Sequence, residues 1–308
     1  MALINVVLST YNRPFFLLEA LNAILNQSFS DFNLYILDNG SDVETKNILR
    51  SLKDKRIKII ENKSNSLEFI NEAFKLINSK YMILTHDDDI MELDFLSSQI
   101  KLLELDNTIN LIGCQVNIID ENSKCLNKIR PRLINTKTWL KGEYLKDYLF
   151  RGNIIPCPTI VFRSDFIRIN QLKYDWSAGP ATDFHLLLKA NSYEGKMVLN
   201  KKVLYKYRVH SNQASEINRI SLEFQVKNKI IELLNEVDMS KNVDSYNSAS
   251  NGIILNIILE GFIRKKILLS VFKQNIKKLM KHHDLKINRY TVYWSLIGIF
   301  RGVKNRIK

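Results

Sequence analysis

Lys80-Tyr81-Met82-Ile83-Leu84-Thr85-His86-Asp87-Asp88-Asp89 is the stretch on which the fold turns. Five residues of strand character run into a polar turn that carries three consecutive carboxylates. Carboxylates this close repel one another and resist burial, so placing them at the end of a buried strand makes sense where a divalent cation neutralises them. In an exposed loop they would be an ordinary solvated acidic turn. Outward from this stretch the pattern alternates: strand-like at 3–9, amphipathic at 15–27, a short apolar run at 33–37, helix-like at 43–52, strand-like at 56–60, helix-like at 66–77 and strand-like at 80–84. Parallel neighbours need helical crossovers, so this rhythm implies an α/β fold with a mostly parallel central sheet flanked by helices. Ligands of such sheets bind beyond the carboxyl ends of the strands. The polar clusters fall there: Ser9-Thr10-Tyr11-Asn12-Arg13-Pro14, Asp38-Asn39-Gly40-Ser41-Asp42 and the aspartate run.

Further along, the sequence predicts a helix over 94–105, a strand over 111–119, a polar connection near 120–135 and a helix over 136–150. A buried strand at 158–162, a helix over 183–190 with an acidic first turn and a last strand at 203–207 follow. Beyond Glu216 the chain reads as helical, with breaks near 238–244 and 282–288.

The 308 residues are 45% hydrophobic and 25% charged, with only 10 Gly and 5 Pro, which excludes collagen-like, low-complexity and wholly disordered chains. Cys114, Cys125 and Cys157 are too few and wrongly spaced for a disulfide framework or a cysteine zinc site, so a reducing cytoplasm is expected. The N-terminus lacks a basic leader and makes a poor signal peptide. The longest apolar stretches, 252–259 and 294–300, are under half the ~20 residues that span a bilayer. The net charge of +13 is local: residues 264–308 hold 13 Lys/Arg against one acid, Asp284.

Five motifs together resemble the family 2 glycosyltransferases of the GT-A fold: Ser9-Thr10-Tyr11-Asn12-Arg13-Pro14, Asp38-Asn39-Gly40-Ser41, Thr85-His86-Asp87-Asp88-Asp89, Thr182-Asp183-Phe184-His185 and Tyr207-Arg208-Val209-His210-Ser211-Asn212. The resemblance covers about residues 1–215, implying a nucleotide-sugar-binding catalytic domain there and a basic helical extension over 216–308. It implies an inverting transferase of the bacterial surface-glycan type, making O-antigen, capsule or a related polysaccharide. That enzyme moves one sugar from a UDP- or dTDP-linked donor to a glycan or lipid-linked acceptor. The Gln-x-x-Arg-Trp sequence of processive synthases is absent.

Carried over by position, the resemblance puts Ser9, Thr10, Tyr11, Asn12 and Arg13 around the nucleotide, with Arg13 near phosphate or ribose. Asp38-Asn39 matches the pair that reads the base; an amide oxygen at Asn39 can accept the hydrogen bond that a carboxylate accepts in relatives. Asp87 is expected at the ribose, Arg208 at the diphosphate, and Asp88 with His210 on a Mn²⁺ or Mg²⁺ ion, Asp89 being a further ligand. His86 occupies the first position of the Asp-x-Asp signature, where shaping the turn and serving the site both stay open. Asn212 and Ser215 share the loop of His210. Asp183 matches the general base, with Thr182 in place of the usual Glu. Asn153, Pro156, Pro158, Thr182 and His185 are expected on the acceptor side. For the basic end, Ile, Leu and Phe with Tyr293 and Trp294 among Lys and Arg suggest docking on the anionic inner face of the membrane as a peripheral protein. Packing on the catalytic domain or in a homo-oligomer is the alternative. A nucleic-acid partner and a non-catalytic relative are the other classes weighed; no recognition module supports the first, and Asp88, Asp183 and His210 together speak against the second.

Overall fold

The computed structural model describes residues 2–210, 219–263, 269–282 and 289–306; Asn212 and Ser215, and the basic residues Arg264, Lys265, Lys266, Lys286 and Lys308, lie outside them. The first half runs β1 (Ile4–Thr10), α1 (Pro14–Leu25), β2 (Phe32–Asp38), α2 (Val43–Ser51), β3 (Ile57–Glu61), β4 (Tyr81–His86), β5 (Ile90–Met91), α3 (Phe95–Leu105) and β6 (Ile109–Ile119). Then come β7 (Cys125–Arg130), β8 (Lys137–Trp139), α4 (Tyr144–Arg151), β9 (Val161–Arg163), α5 (Ser164–Ile169), α6 (Thr182–Asn191) and β10 (Lys196–Arg208). The C-terminal helices are α7 (Arg219–Glu236), α8 (Val243–Ile263), α9 (Leu269–His282) and α10 (Arg289–Arg306).

Among the described residues the strands form one sheet in the order β3-β2-β1-β4-β9-β6-β10-β5, with β7 on β6 and β8 on β10. Strands β1 to β4 pair in parallel, and Ile4, Val6, Val7, Leu8, Ile83 and Leu84 are buried as expected of strands covered on both faces. Two local signals start the flanking helices: Pro14 stands in the first turn of α1, and the Asp42 side chain accepts from Thr45 N at 2.9 Å to cap α2. In register, Thr10 faces Asp38 and Ser9 faces His86, so the three polar clusters share one sheet edge.

Five segments differ from the sequence expectation. Of the strand expected at 158–162, Cys157–Thr159 forms a 3₁₀ turn and the strand itself is Val161–Arg163. The helix expected over 136–150 divides into β8 and α4, because Gly142 turns the chain at φ +73° and Thr138 pairs with Val198 of β10. The connection at 120–135 contains β7, whose residues are all exposed; a strand with no buried face has no alternation to read. The segment at 66–77 forms a 3₁₀ helix, Glu68–Lys75. The strand at 203–207 is the end of the longer β10, hidden in sequence by Asn200-Lys201-Lys202, where its register on β6 shifts. The break near 238–244 is present, with Asp238 at φ +56° between α7 and α8; the second falls at 283–288, outside the described residues.

Packing divides the chain into two units. The first comprises Met1–Lys141, Asn153–Trp176 and Tyr193–Gln213, and holds the sheet. The second comprises Gly142–Gly152, Ser177–Ser192 and Ala214–Lys308. In it α10 lies close on α8 through two glycines: a Cβ at Gly298 would sit 2.7 Å from Asn256 Cα, and one at Gly252 3.0 Å from Thr291 Cα. Asn256 Nδ2 donates to Trp294 O at 2.9 Å, and Trp294 Nε1 to Leu149 O at 2.8 Å. Trp294, expected among membrane-facing residues, is therefore a core residue, 7% exposed.

Gly298→Ala should destabilise the protein by about 1–3 kcal/mol through overpacking, read as a lower urea midpoint. Phe300→Ala, at an exposed position of the same helix, should move it by less than about 0.5 kcal/mol.

Candidate functional site

The site is built in the first unit from the ends of β1, β2, β4 and β10. Asp87, Asp88 and Asp89 are buried, each with its own compensation. Asp87 Oδ2 accepts from Thr10 Oγ1 at 2.7 Å and Tyr11 N at 3.3 Å, and its Oδ1 from Arg13 Nη1 at 3.0 Å. Arg13 Nη1 also lies 2.9 Å from Asp88 Oδ2, which His210 Nε2 approaches to 3.2 Å. Asp89 Oδ1 accepts from Arg208 N at 2.9 Å, whereas Asp89 Oδ2 is buried without a hydrogen-bond partner among the described residues. Burial raises the Asp87 carboxyl despite Arg13. It also pushes Asp88 up, but His86, Arg13 and His210 outweigh it and hold Asp88 below the ordinary range. Burial and the Asp88 charge carry Asp89 well above it.

One ligand atom each of His86, Asp88 and Asp89 lie within 4.8 Å of one another. Two carboxylates and an imidazole, one carboxylate oxygen being an orphan, fit a hard divalent cation such as Mn²⁺ or Mg²⁺. His86, which the sequence left between two roles, joins this group; His210 meets it through Asp88.

Arg208 is fully buried. Its Nε donates to Asp88 O at 2.7 Å, its Nη1 to Asp120 O and Glu121 O at 3.2 Å and to Ser123 Oγ at 2.8 Å, and its Nη2 pairs with Glu19. The guanidinium lies 4.5 Å from the Phe16 ring centroid, and that ring is 5.5 Å from the ring of His210. The diphosphate role expected of Arg208 is thus replaced by that of a strut: protein atoms take up its donors, and through them it ties the acidic turn to α1 and to the β6–β7 hairpin. Glu19 and Ser123 carried no signal in the sequence beyond being polar.

Asn39 is corrected in the same way. Its Nδ2 donates to Asn65 Oδ1 and Ser66 O, both at 2.9 Å, while its Oδ1 accepts from Ser66 N at 3.0 Å and Asn62 Nδ2 at 3.2 Å. Both donors and both lone pairs are used, so the amide pins the 62–66 loop instead of reading a base. Gly40, at φ +81°, lets that loop approach: a Cβ there would meet Ser64 Cα at 2.8 Å. The neighbouring Asp38 accepts from Ser41 N at 2.9 Å through Oδ1, and its buried Oδ2 has no partner among the described residues. Asn12, at φ +52°, joins the two loops by accepting from Asp42 N at 2.7 Å. Asp87, expected at the ribose, is 1% exposed and bound to the first loop.

The structure brings Ser9, Thr10, Tyr11, Asn12, Arg13, Asp38, Asn39, Asp87, Asp88, Asp89, Arg208 and His210 into this unit, and Ser9 Oγ donates to Thr85 O at 3.4 Å. Asn153 and Pro156 stand ahead of β9 in the same unit; Pro156 O accepts from Thr159 Oγ1 at 2.8 Å. Thr182, Asp183 and His185 belong to the second unit, on the first turn of α6, with Asp183 half-buried. The Phe184 ring beside it stacks on Tyr148 at 3.8 Å and fixes that turn. Asp183 Oδ1 accepts from Phe184 N at 2.7 Å.

Glycosyl transferase family 2 matches residues 5–176. An uncharacterized glycosyltransferase of Haemophilus influenzae is 26% identical over 93% of this chain and 98% of its own. The Escherichia coli O-antigen biosynthesis glycosyltransferase WbnJ is 26% identical over 54% of this chain and 63% of its own. Among solved structures, S. aureus TarS 1-349 in complex with UDP-GlcNAc superposes with a TM-score of 0.66 at 14% identity, covering 96% of this chain and 89% of that one. Mannosyltransferase PcManGT of Pyrobaculum calidifontis, in complex with GDP-Man and Mn²⁺, gives 0.57 at 12% identity over 99% and 87%. The fold is GT-A.

Arg208→Lys keeps the charge but loses the fork; leaving Glu19 and the four carbonyl or hydroxyl partners short of donors should cost about 3–5 kcal/mol by analogy with broken buried pairs, measured by urea unfolding. Asn39→Asp sets carboxylate oxygens against Asn65 Oδ1 and Ser66 O and should cost about 1–3 kcal/mol. A variant as stable as the parent would remove the loop-pinning role.

Proposed function

As the chain belongs to glycosyltransferase family 2, we propose that it is an inverting, metal-dependent enzyme that transfers one sugar from a nucleotide-sugar to a hydroxyl of a glycan or lipid-linked acceptor. The observation that carries this reading is the buried aspartate turn at the end of β4, with a cation-sized cluster of His86, Asp88 and Asp89 facing the polar loops of β1 and β2. The nucleotide-sugars held by TarS and PcManGT support the donor class, and the Mn²⁺ of the latter supports the cation. A UDP- or dTDP-linked donor is proposed, and WbnJ supports a place in O-antigen, capsule or other surface-polysaccharide synthesis. Residues 1–215 are assigned the chemistry and 216–308 the extension. The three free cysteines support a cytoplasmic setting.

In this reading Ser9, Thr10, Tyr11 and Asn12 shape the nucleotide pocket, and the orphan Asp38 Oδ2 accepts from the base or ribose. Asp88 and Asp89 with His86, and His210 through Asp88, would hold the cation, which when bound offsets charge on the diphosphate. Arg13, which pairs with Asp88 and keeps 33% of its side chain accessible, is assigned to the phosphate. Asp183 takes the proton of the acceptor hydroxyl as its oxygen forms the new bond to the anomeric carbon; the bond from that carbon to the diphosphate oxygen breaks on the opposite face. Asn153, Pro156, Thr182 and His185 border the acceptor.

Asp88→Ala should abolish Mn²⁺-dependent binding of nucleoside diphosphate in calorimetric titration; unchanged affinity would rule out the metal assignment. Asp183→Asn preserves the bond from Phe184 N and should lower turnover by roughly 10²–10⁴ with donor binding nearly unchanged. Near-parental turnover would pass the base role to another residue.

A further inference from the structure

Helix α10 has two faces of opposite fate. Tyr290, Thr291, Trp294 and Gly298 are buried. Val292, Tyr293, Leu296, Ile299 and Phe300 are 47, 39, 61, 43 and 70% exposed. At 100° per residue these five fall within an arc of about 120°, as wide as the apolar stripe by which a helix docks on a core. A second apolar surface lies on α9, where Phe272, Ile276 and Met280 line a shallow groove of about 420 Å³ with Lys273 and Lys277 at its sides. No helix among the described residues is long and apolar enough to cross a membrane.

We propose that the outer stripe of α10, with the lysine-edged groove of α9, seats the protein on the surface of an anionic phospholipid bilayer. Charge selects this occupant. The stripe follows Arg289 and is followed in sequence by Arg301, Lys304 and Arg306, within a segment of 13 basic residues and one acid. An identical face on a second copy would meet it with the same excess of positive charge, whereas an anionic headgroup layer meets it with the opposite one. Exposed aliphatic and phenyl side chains enter the headgroup boundary, Tyr293 offers a hydroxyl at its level, and the cations stay in the phosphate layer. The stripe is a property of this segment whether or not the transfer reaction is as proposed, and the assay needs neither donor nor acceptor.

The test is co-sedimentation of the full chain with vesicles of phosphatidylcholine alone and of phosphatidylcholine with 30% phosphatidylglycerol, beside Leu296→Asp/Phe300→Asp and Lys273→Glu/Lys277→Glu. The parent should partition at least tenfold better onto the anionic vesicles and lose most of that between 0.1 and 0.5 M salt, where screening shortens. Each double variant should lose tenfold or more with an unchanged circular dichroism spectrum. Since the altered side chains are exposed, unfolding would itself contradict the placement of these faces. Equal binding to both vesicles, no binding by the parent, or full retention by both variants would overturn the proposal. So would a parent dimer in sedimentation velocity that Leu296→Asp/Phe300→Asp converts to monomer.

Discussion

Three neighbouring carboxylates are taken out of water at the end of β4, and the architecture around them answers that cost. An unpaired buried ion carries a penalty of several kcal/mol, so Asp87, Asp88 and Asp89 oblige other parts of the chain to converge. Thr10 comes from the end of β1, Tyr11 and Arg13 from the turn after it, His210 from beyond β10, and the Arg208 backbone from its end. The Arg208 side chain then braces the turn against α1 and the β6–β7 hairpin. What remains uncompensated, chiefly Asp89 Oδ2, is the part suited to a cation.

The sheet was legible where burial was simple. Strands β1, β2 and β4 are covered on both faces and show it as apolar runs ending in polar clusters. Legibility failed where pairing was one-sided or irregular: β7 has no buried residue, and β10 carries Asn200-Lys201-Lys202 through its middle. Residue type and order picked out Thr10, Arg13, Asp38, Asp88 and His210, which the structure gathers in the first unit at the ends of its strands. They could not show which donors and acceptors are already occupied. Asn39 and Arg208 are polar groups beside a pocket by sequence, and pins of the scaffold by geometry. Glu19 was indistinguishable from any charge on the wet side of an amphipathic helix.

The second unit obeys a different constraint, close helix packing. Gly252 and Gly298 let α8 and α10 approach to backbone contact, which fixes the rotation of α10 and hence which of its apolar residues stay outside. The same unit recruits α4 and α6 from the middle of the chain, where the stacked rings of Tyr148 and Phe184 hold the turn that carries Asp183.

The segment that recognises the family ends at residue 176, yet the arginine that steadies the acidic turn stands at 208 and the histidine at 210. Two of the earliest loops and one of the last strands therefore have to close on each other, over some of the longest sequence separations in the sheet, before Asp88 and Asp89 have all their partners. Contacts of this span are entropically late in folding. Asp87 meets its partners in the first loop, whereas Asp88 and Asp89 gain His210 and the Arg208 backbone only from the end of β10 and beyond. A chain stopped short of that strand would own most of the sheet and the partners of Asp87, but neither His210 beside Asp88 nor the Arg208 brace of the acidic turn, so the full set of partners is tied to completion of the fold.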